Sequence, residues 1–408
     1  IKLKILVVTQ FFEPENFRIN DLIEELDGRG HEITVLTGLP NYPEGSFYEG
    51  FSYSSIGKTF KGKIKVVRSP IIPRFSSKKI QLAINYLSFA FFASIFGLFY
   101  CRGRYDLIFT YAPSPLTVAL TSIFINSFKR VKHVIWVQDL WPEVFMAVEA
   151  PKTKLFYDSV KLMMKFIYKR CDLILIQSRG FQQSIIQLGV NENKIKYFPN
   201  WAENFFKPLD KKLPETQRID LPGGDSFKIM FAGNIGAAQC FDIILEAAIK
   251  LKSKKISWII LGDGRRKKWL DEQIEIHSLQ RNIFTLGKKP VEDMPFYYSL
   301  ADVMLVSLEP HPVFSAWIPG KVQSYMACGK PILALLSGAG AEAIKESRSG
   351  FAIESGKADE LISKVEELSL MSETELLKMG KNALEYYDRE FNRDKLISEF
   401  EYLLRNLS

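Results

Sequence analysis

The sequence predicts an α/β protein of two domains, the first doubly wound, and three observations carry that prediction. The chain has 408 residues, more than the roughly 250 to 300 that one hydrophobic core serves. Its opening reads strand, helix, strand, the crossover unit that builds parallel sheets. Short β-branched runs then alternate with helix-length segments through both halves. Composition agrees: 47% apolar and 25% charged residues, with 19 Pro and 25 Gly scattered along the chain, exclude disordered, collagenous and fibrous classes.

Residues 3–9 (LKILVVT) predict the first strand, and Ile19, Leu22, Ile23 and Leu26 keep the spacing of an amphipathic helix that Gly28 and Gly30 end. ITVLT at 33–37 is the second strand, followed by strands at 64–68, 106–110, 133–137 and 172–176. Residues 207–226, with Pro208, Pro214, Pro222, Gly223 and Gly224, read as a linker, so the boundary is expected between about 200 and 226. Strand signals resume at 228–233, 258–262, 283–287, 303–308 and 331–335. The tail is helical by Leu396, Phe400, Leu403 and Leu404. Ligands of such sheets bind beyond the strand ends, which predicts a site between the domains.

The net charge of +8 is unevenly placed, with 26 Lys+Arg against 16 Asp+Glu in residues 1–200 and 28 against 30 in the remainder. Residues 51–104 hold ten basic residues (Lys58, Lys61, Lys63, Lys65, Arg68, Arg74, Lys78, Lys79, Arg102 and Arg104) and no acidic one. This segment suits phosphates, or is a solvated face kept soluble by charge. Within it, residues 82–101 (LAINYLSFAFFASIFGLFYC) form an uncharged apolar run that would reach about 30 Å as a helix. Three readings are open: a span, a core helix, or a helix lying on a membrane. The last is favoured, because basic residues flank the run and because a span would separate strands of one sheet. The expected partner is an anionic membrane surface met by residues 58–104, not nucleic acid. KILVV at the start is too short for a secretory signal and runs into Gln10, Phe11 and Glu13, which predicts a cytoplasmic protein.

Several chemistries lack their residues. The four Cys (101, 171, 240 and 328) and four His (31, 133, 277 and 311) show no metal-ligand or disulfide spacing, so no metal is expected. GxGxxG is missing, since Gly262-Asp263-Gly264 is followed by Lys267 where the third Gly belongs. No P-loop and no GxSxG elbow occur.

Present instead is Gly233-Asn234-Ile235-Gly236, where a strand runs into a small-residue loop that opens a helix near Phe241. Free N–H groups at a helix start and closely approachable backbone suit a diphosphate, although a tight turn packed for its own sake would look the same. Gly262-Asp263-Gly264-Arg265-Arg266 repeats the arrangement, with Arg266 placed to reach a phosphate. Most informative is Pro319-Gly320-Lys321-Val322-Gln323-Ser324-Tyr325-Met326-Ala327-Cys328-Gly329-Lys330-Pro331: a loop, a Lys, a helix, then Gly-Lys-Pro entering a strand.

That stretch resembles the PSKxxEYMAxGKP segment of family 4 glycosyltransferases of GT-B fold, two Rossmann-like domains facing across a cleft. KILVVTQFFEPENFRINDL, Arg29-Gly30-His31-Glu32, Val137-Gln138-Asp139-Leu140-Trp141-Pro142-Glu143 and Tyr197-Phe198-Pro199-Asn200-Trp201 are similar to the same family in the same order. The likeness is to its O-antigen and capsule branch, the WbuB-type N-acetylfucosamine transferases.

The resemblance implies an N-terminal acceptor and membrane-docking domain at 1–203, a nucleotide-sugar domain at 204–385 and a helix at 386–408 returning to the first. It implies retaining, metal-independent transfer from a UDP-sugar, which is a substrate rather than a cofactor, to a saccharide on a membrane lipid diphosphate. Asp139, Lys321 and Arg266 would be catalytic. Gly233, Asn234, Ile235, Gly236, Gly262, Gly264, Lys289, Pro319, Gly320, Gln323 and Ser324 would hold the donor, and Phe17, Arg18, Gln138, Trp141 and Glu143 would face the acceptor. The sequence departs from the family at its E-x7-E carboxylates, which fall on Ala316 and Ser324. Two rival readings follow: a nucleotide-sugar-binding scaffold without turnover, and a GT-B sugar-nucleotide epimerase, which the membrane-facing segment opposes.

Overall fold

The structure is a computed structural model that describes residues 2–75, 79–114, 116–144, 153–209 and 224–407. Lys78 and, within the expected linker, Pro214, Pro222 and Gly223 lie outside the described residues. The chain forms two compact units, one of residues up to Phe198 together with those from Asp394 onward, the other Pro199–Arg393.

The first unit is an eight-stranded sheet: β1 (Lys4–Val8), β2 (Glu32–Gly38), β3 (Gly57–Lys61), β4 (Ile64–Ser69), β5 (Leu107–Ala112), β6 (Lys132–Val137), β7 (Leu173–Ile176) and β8 (Ile195–Tyr197). Its order is β3-β4-β2-β1-β5-β6-β7-β8, parallel throughout except for β3 against β4. Continuous apolar runs such as KILVV form the central strands because both faces of the sheet are covered. Strand β3 gives no sequence signal for the converse reason: GKTFK lies at the edge, exposed along most of its length, so no buried face imposes alternation. Helices α1 (Arg18–Gly28), α2 (Lys79–Tyr100), α3 (Val118–Lys129), α4 (Lys154–Lys169) and α5 (Gln182–Gln187) connect the strands.

The apolar run is α2, the crossover from β4 to β5. Because β5 pairs with β1 in the sheet that α2 leaves, the helix returns to its own layer and is not a span. By length and composition it could cross a membrane, yet only 28% of its most apolar window is buried. A Cβ at Gly97 would lie 2.3 Å from Ile125 Cδ1, so this glycine lets α2 and α3 close tightly. The opposite side carries Ile80, Ile84, Leu87, Phe91, Ile95 and Phe99, all exposed and repeating every three to four residues, which makes one continuous apolar stripe. Phe124 and Phe128 of α3 are exposed as well.

The second unit is a six-stranded parallel sheet of order β11-β10-β9-β12-β13-β14. Its strands are β9 (Phe227–Ala232), β10 (Ile256–Leu261), β11 (Ile283–Gly287), β12 (Val303–Ser307), β13 (Ile332–Leu335) and β14 (Gly350–Ile353). Helices α6 (Phe241–Lys250), α7 (Lys267–Ile276), α8 (Met294–Leu300), α9 (Pro312–Ser315), α10 (Gly320–Ala327), α11 (Ala339–Ser347), α12 (Ala358–Leu370) and α13 (Glu373–Glu390) cover it. The last helix, α14 (Arg393–Leu407), belongs largely to the first unit. There Phe400 tilts against Phe109 at 5.0 Å and stacks on Phe198 at 5.1 Å, and Glu401 meets Arg29 and His31 at 3.3 and 3.0 Å.

Candidate active site

In the second unit the site forms where β9 and β10 end side by side. Past Ala232 and Leu261 the two loops stay paired, with Gly233 N donating to Leu261 O, Ile235 N to Asp263 O (both 2.8 Å) and Arg266 N to Ile235 O at 3.0 Å. The glycines are dictated by that approach. Gly262 has φ +136, and a Cβ there would lie 1.9 Å from Gly233 O, while a Cβ at Gly264 would lie 2.4 Å from Ile235 O. Gly233, at φ +142, leaves room for Lys321, whose Cε would be 2.4 Å from a Cβ at that position.

Lys321 opens α10, and Tyr325 one turn later anchors that helix, its hydroxyl 3.2 Å from Ala232 N and 3.3 Å from Leu305 O. The ammonium is thereby held over the end of β9, 3.9 Å from the Phe231 ring centroid and 2.8 Å from Gln239 Oε1. Burial, with no carboxylate partner among the described residues, lowers its pKa to about 7. An anion entering this corner would find a cation with a neutral hydrogen-bond partner and an aromatic face.

The other expected donor residues divide. Asn234, Ile235 and Gly236 lie in the loop beside Lys321, Pro319 caps α10 and Gly320 is its first residue. Lys289 is half-buried two residues beyond β11. Gln323 is buried and donates to Asn200 O at 2.7 Å, and Ser324 Oγ donates to Lys321 O at 3.1 Å, so both brace the helix. Arg266 makes a bidentate pair with Asp242 at 2.6 and 2.9 Å and stacks 3.6 Å from Trp269. A phosphate would have to share that guanidinium with Asp242.

In the first unit the C-terminal ends of the neighbouring strands β2, β1, β5 and β6 bring together the loops that carry the expected acceptor residues. Phe17 stacks on Phe11 at 4.9 Å and tilts against Tyr42 at 5.3 Å. Arg18 begins α1, and its charge and that of Asp139 both bear on the Tyr111 phenol. Burial raises the Asp139 carboxyl to about 7 against the pull of a hydrogen bond with Ser114. Gln138 is buried, its backbone O accepting from Gln177 Nε2 at 3.1 Å. Trp141 follows in the same loop, and Glu143 bears on the phenols of Tyr157 and Tyr168 in α4.

Glu15 was not singled out in the sequence, where it reads as one more loop acid. It is buried and accepts from the backbone N–H of Phe12, Asn41 and Tyr42 at 3.2, 2.8 and 2.8 Å, clamping the loop after β1 to the loop after β2. Burial outweighs those bonds and raises its carboxyl to about 7. Gln10, Asn41 and Asn85 were also missed. Gln10 Nε2 donates to Asn85 Oδ1 at 2.8 Å, and Asn85 Nδ2 donates to Asn41 Oδ1 at 3.2 Å, tying α2 to both loops.

Comparison with known proteins defines the class. Residues 17–203 match the family described as Glycosyltransferase Family 4, and residues 214–386 match Glycosyl transferases group 1. The chain belongs to the glycosyltransferases of GT-B type. It is 25% identical over 341 residues to WcaI of Escherichia coli K12, named for colanic acid biosynthesis, covering 80% of this chain and 82% of that one. It is 26% identical over 267 residues to WbjE of Pseudomonas aeruginosa, named as a glycosyltransferase, covering 64% and 65%. Its fold resembles Anabaena HepE, solved in complex with UDP, at a TM-score of 0.69 and 16% identity, over 99% of this chain and 100% of that one.

Proposed function

We propose that this glycosyltransferase moves an N-acetylated amino sugar such as N-acetylfucosamine from UDP to a saccharide on a membrane lipid diphosphate, in O-antigen or capsule biosynthesis. The observation that carries the reading is Lys321, buried over the end of β9 with Gln239 as its polar partner. Negative charge grows on the departing diphosphate as the sugar becomes oxocarbenium-like, and a fixed, preorganised cation stabilises that state more than the ground state. The backbone of 233–236 and the start of α10 offer N–H groups to the same phosphates, and Arg266 adds charge once shared with Asp242. The relation to HepE, solved with UDP, supports the choice of nucleotide, and the name of WcaI supports a surface polysaccharide as product. Transfer proceeds with retention and without a metal, the cations taking the part of a Lewis acid. Asp139 faces the acceptor.

The exposed stripe on α2, in a segment whose sequence carries ten basic and no acidic residues over 51–104, supports a peripheral position at the inner face of the cytoplasmic membrane. The test is UDP release from UDP-N-acetylhexosamines in the presence of chelator, with the product anomer read by NMR. Release with retention is expected, falling about 10²-fold or more in Lys321→Ala. Binding of UDP with no release from any UDP-sugar, acceptor present, would favour the scaffold instead.

A further inference from the structure

Arg74 is a cation whose donors are almost entirely unspent. Its guanidinium lies 5.4, 5.0 and 5.3 Å from the ring centroids of Phe11, Tyr42 and Tyr86. Of the five N–H donors of an arginine, one reaches a partner among the described residues, the Tyr86 hydroxyl at a long 3.4 Å. Nε is buried with no acceptor, and no ion pair among the described residues includes Arg74. Other arginines of the first unit differ: Arg68 donates to Gly38 O and Glu13 O, and Arg29 pairs with Glu25 and Glu401. Leaving a sheathed guanidinium unsatisfied is costly, and an anion would remove the cost.

Two further features describe that anion's carrier. Phe11, Phe17 and Tyr42 form an aromatic platform with Tyr42 partly open to solvent, suited to the C–H face of a sugar ring. Ile84 and Leu87, on either side of Asn85 and Tyr86, belong to the exposed apolar stripe. A cation, an aromatic platform and an apolar stripe meet in one place.

We propose that Arg74, held by Phe11, Tyr42 and Tyr86, recognises the phosphate of the lipid-linked acceptor, its hydrocarbon following α2 from Leu87. The assignment rests on the acceptor reading above and names the group that binds it. Calorimetry on the full chain with geranyl diphosphate, inorganic pyrophosphate and geraniol tests it. Geranyl diphosphate is expected to bind more tightly than pyrophosphate, and Arg74→Met, which keeps the stem, to weaken it about tenfold or more while leaving geraniol unchanged. Arg74→Lys, which keeps charge but loses the fork, falls between. Stabilisation by UDP, bound in the other unit, stays intact in these variants and reports their folding. No binding of geranyl diphosphate to the wild type, or equal binding by Arg74→Met, overturns the assignment. Pyrophosphate binding as tight as geranyl diphosphate overturns the lipid source and leaves a free-phosphate site. Loss of UDP binding in the wild type instead removes the donor reading.

Discussion

Lys321 is the residue in which burial and function pull against each other. Its pKa falls from 10.5 in the unfolded chain to about 7 in the fold, so between those values the unfolded chain binds more protons and stability rises with pH. The burial penalty is therefore fully present below pH 7 and fades as pH climbs toward 10.5. Lys321→Met is expected to raise the melting temperature of the ligand-free protein at pH 7 by about 2–4 °C, while abolishing nucleotide binding. A diphosphate beside the amine restores its charge, so binding of UDP at pH 8, where the nucleotide's phosphates are already ionised, takes up a proton. Calorimetry at pH 8 in buffers of different ionisation enthalpy reads this directly: buffer-dependent heats that correspond to proton uptake are expected, and buffer-independent heats at pH 8 contradict it. Lys321 was legible in the sequence through Pro-Gly-Lys before a helix. Arg74 was not, since in sequence it is one of ten basic residues, and only folding gives it three aromatic neighbours and no carboxylate among the described residues.

At the scale of elements, two glycine-rich strand ends make a single structure. Gly262 and Gly264 were legible as phosphate-loop glycines, but they answer first to packing against Gly233 and Ile235. Gly262→Ala would drive a Cβ to 1.9 Å from Gly233 O at a positive φ, and is expected to cost about 3 kcal/mol or more in urea unfolding and to lose UDP binding with it. A wild-type midpoint would show that the loop yields. Helix α2 makes the opposite case, for its stripe contributes little to folding. Leu87→Glu with Phe91→Glu should leave the melting temperature within about 2 °C yet abolish sedimentation with anionic vesicles at low salt. Retained sedimentation would reject the stripe as the docking surface. The sequence showed that run as apolar but not which residues face outward, because a helix apolar on every side has no periodicity to read.

At the scale of the molecule, the alternation of strands and helices was legible because a parallel sheet covered on both faces demands continuous apolar strands. The strands it failed to show, β3, β8 and β14, are short or lie at sheet edges, where burial imposes less. The bracing of α14 was visible in the sequence only as an amphipathic tail, and its partners Phe109 and Phe198 lie far away in the chain. In the proposed reaction the second unit holds a uridine diphosphate against Lys321. Thermal shift of the full chain with UDP, GDP and ADP reads that binding, since a ligand at 100 times its dissociation constant stabilises by about 2.7 kcal/mol. A shift with UDP that exceeds those with GDP and ADP and vanishes in Lys321→Ala is expected. A UDP shift unchanged in Lys321→Ala, or no shift with any nucleotide, would contradict it.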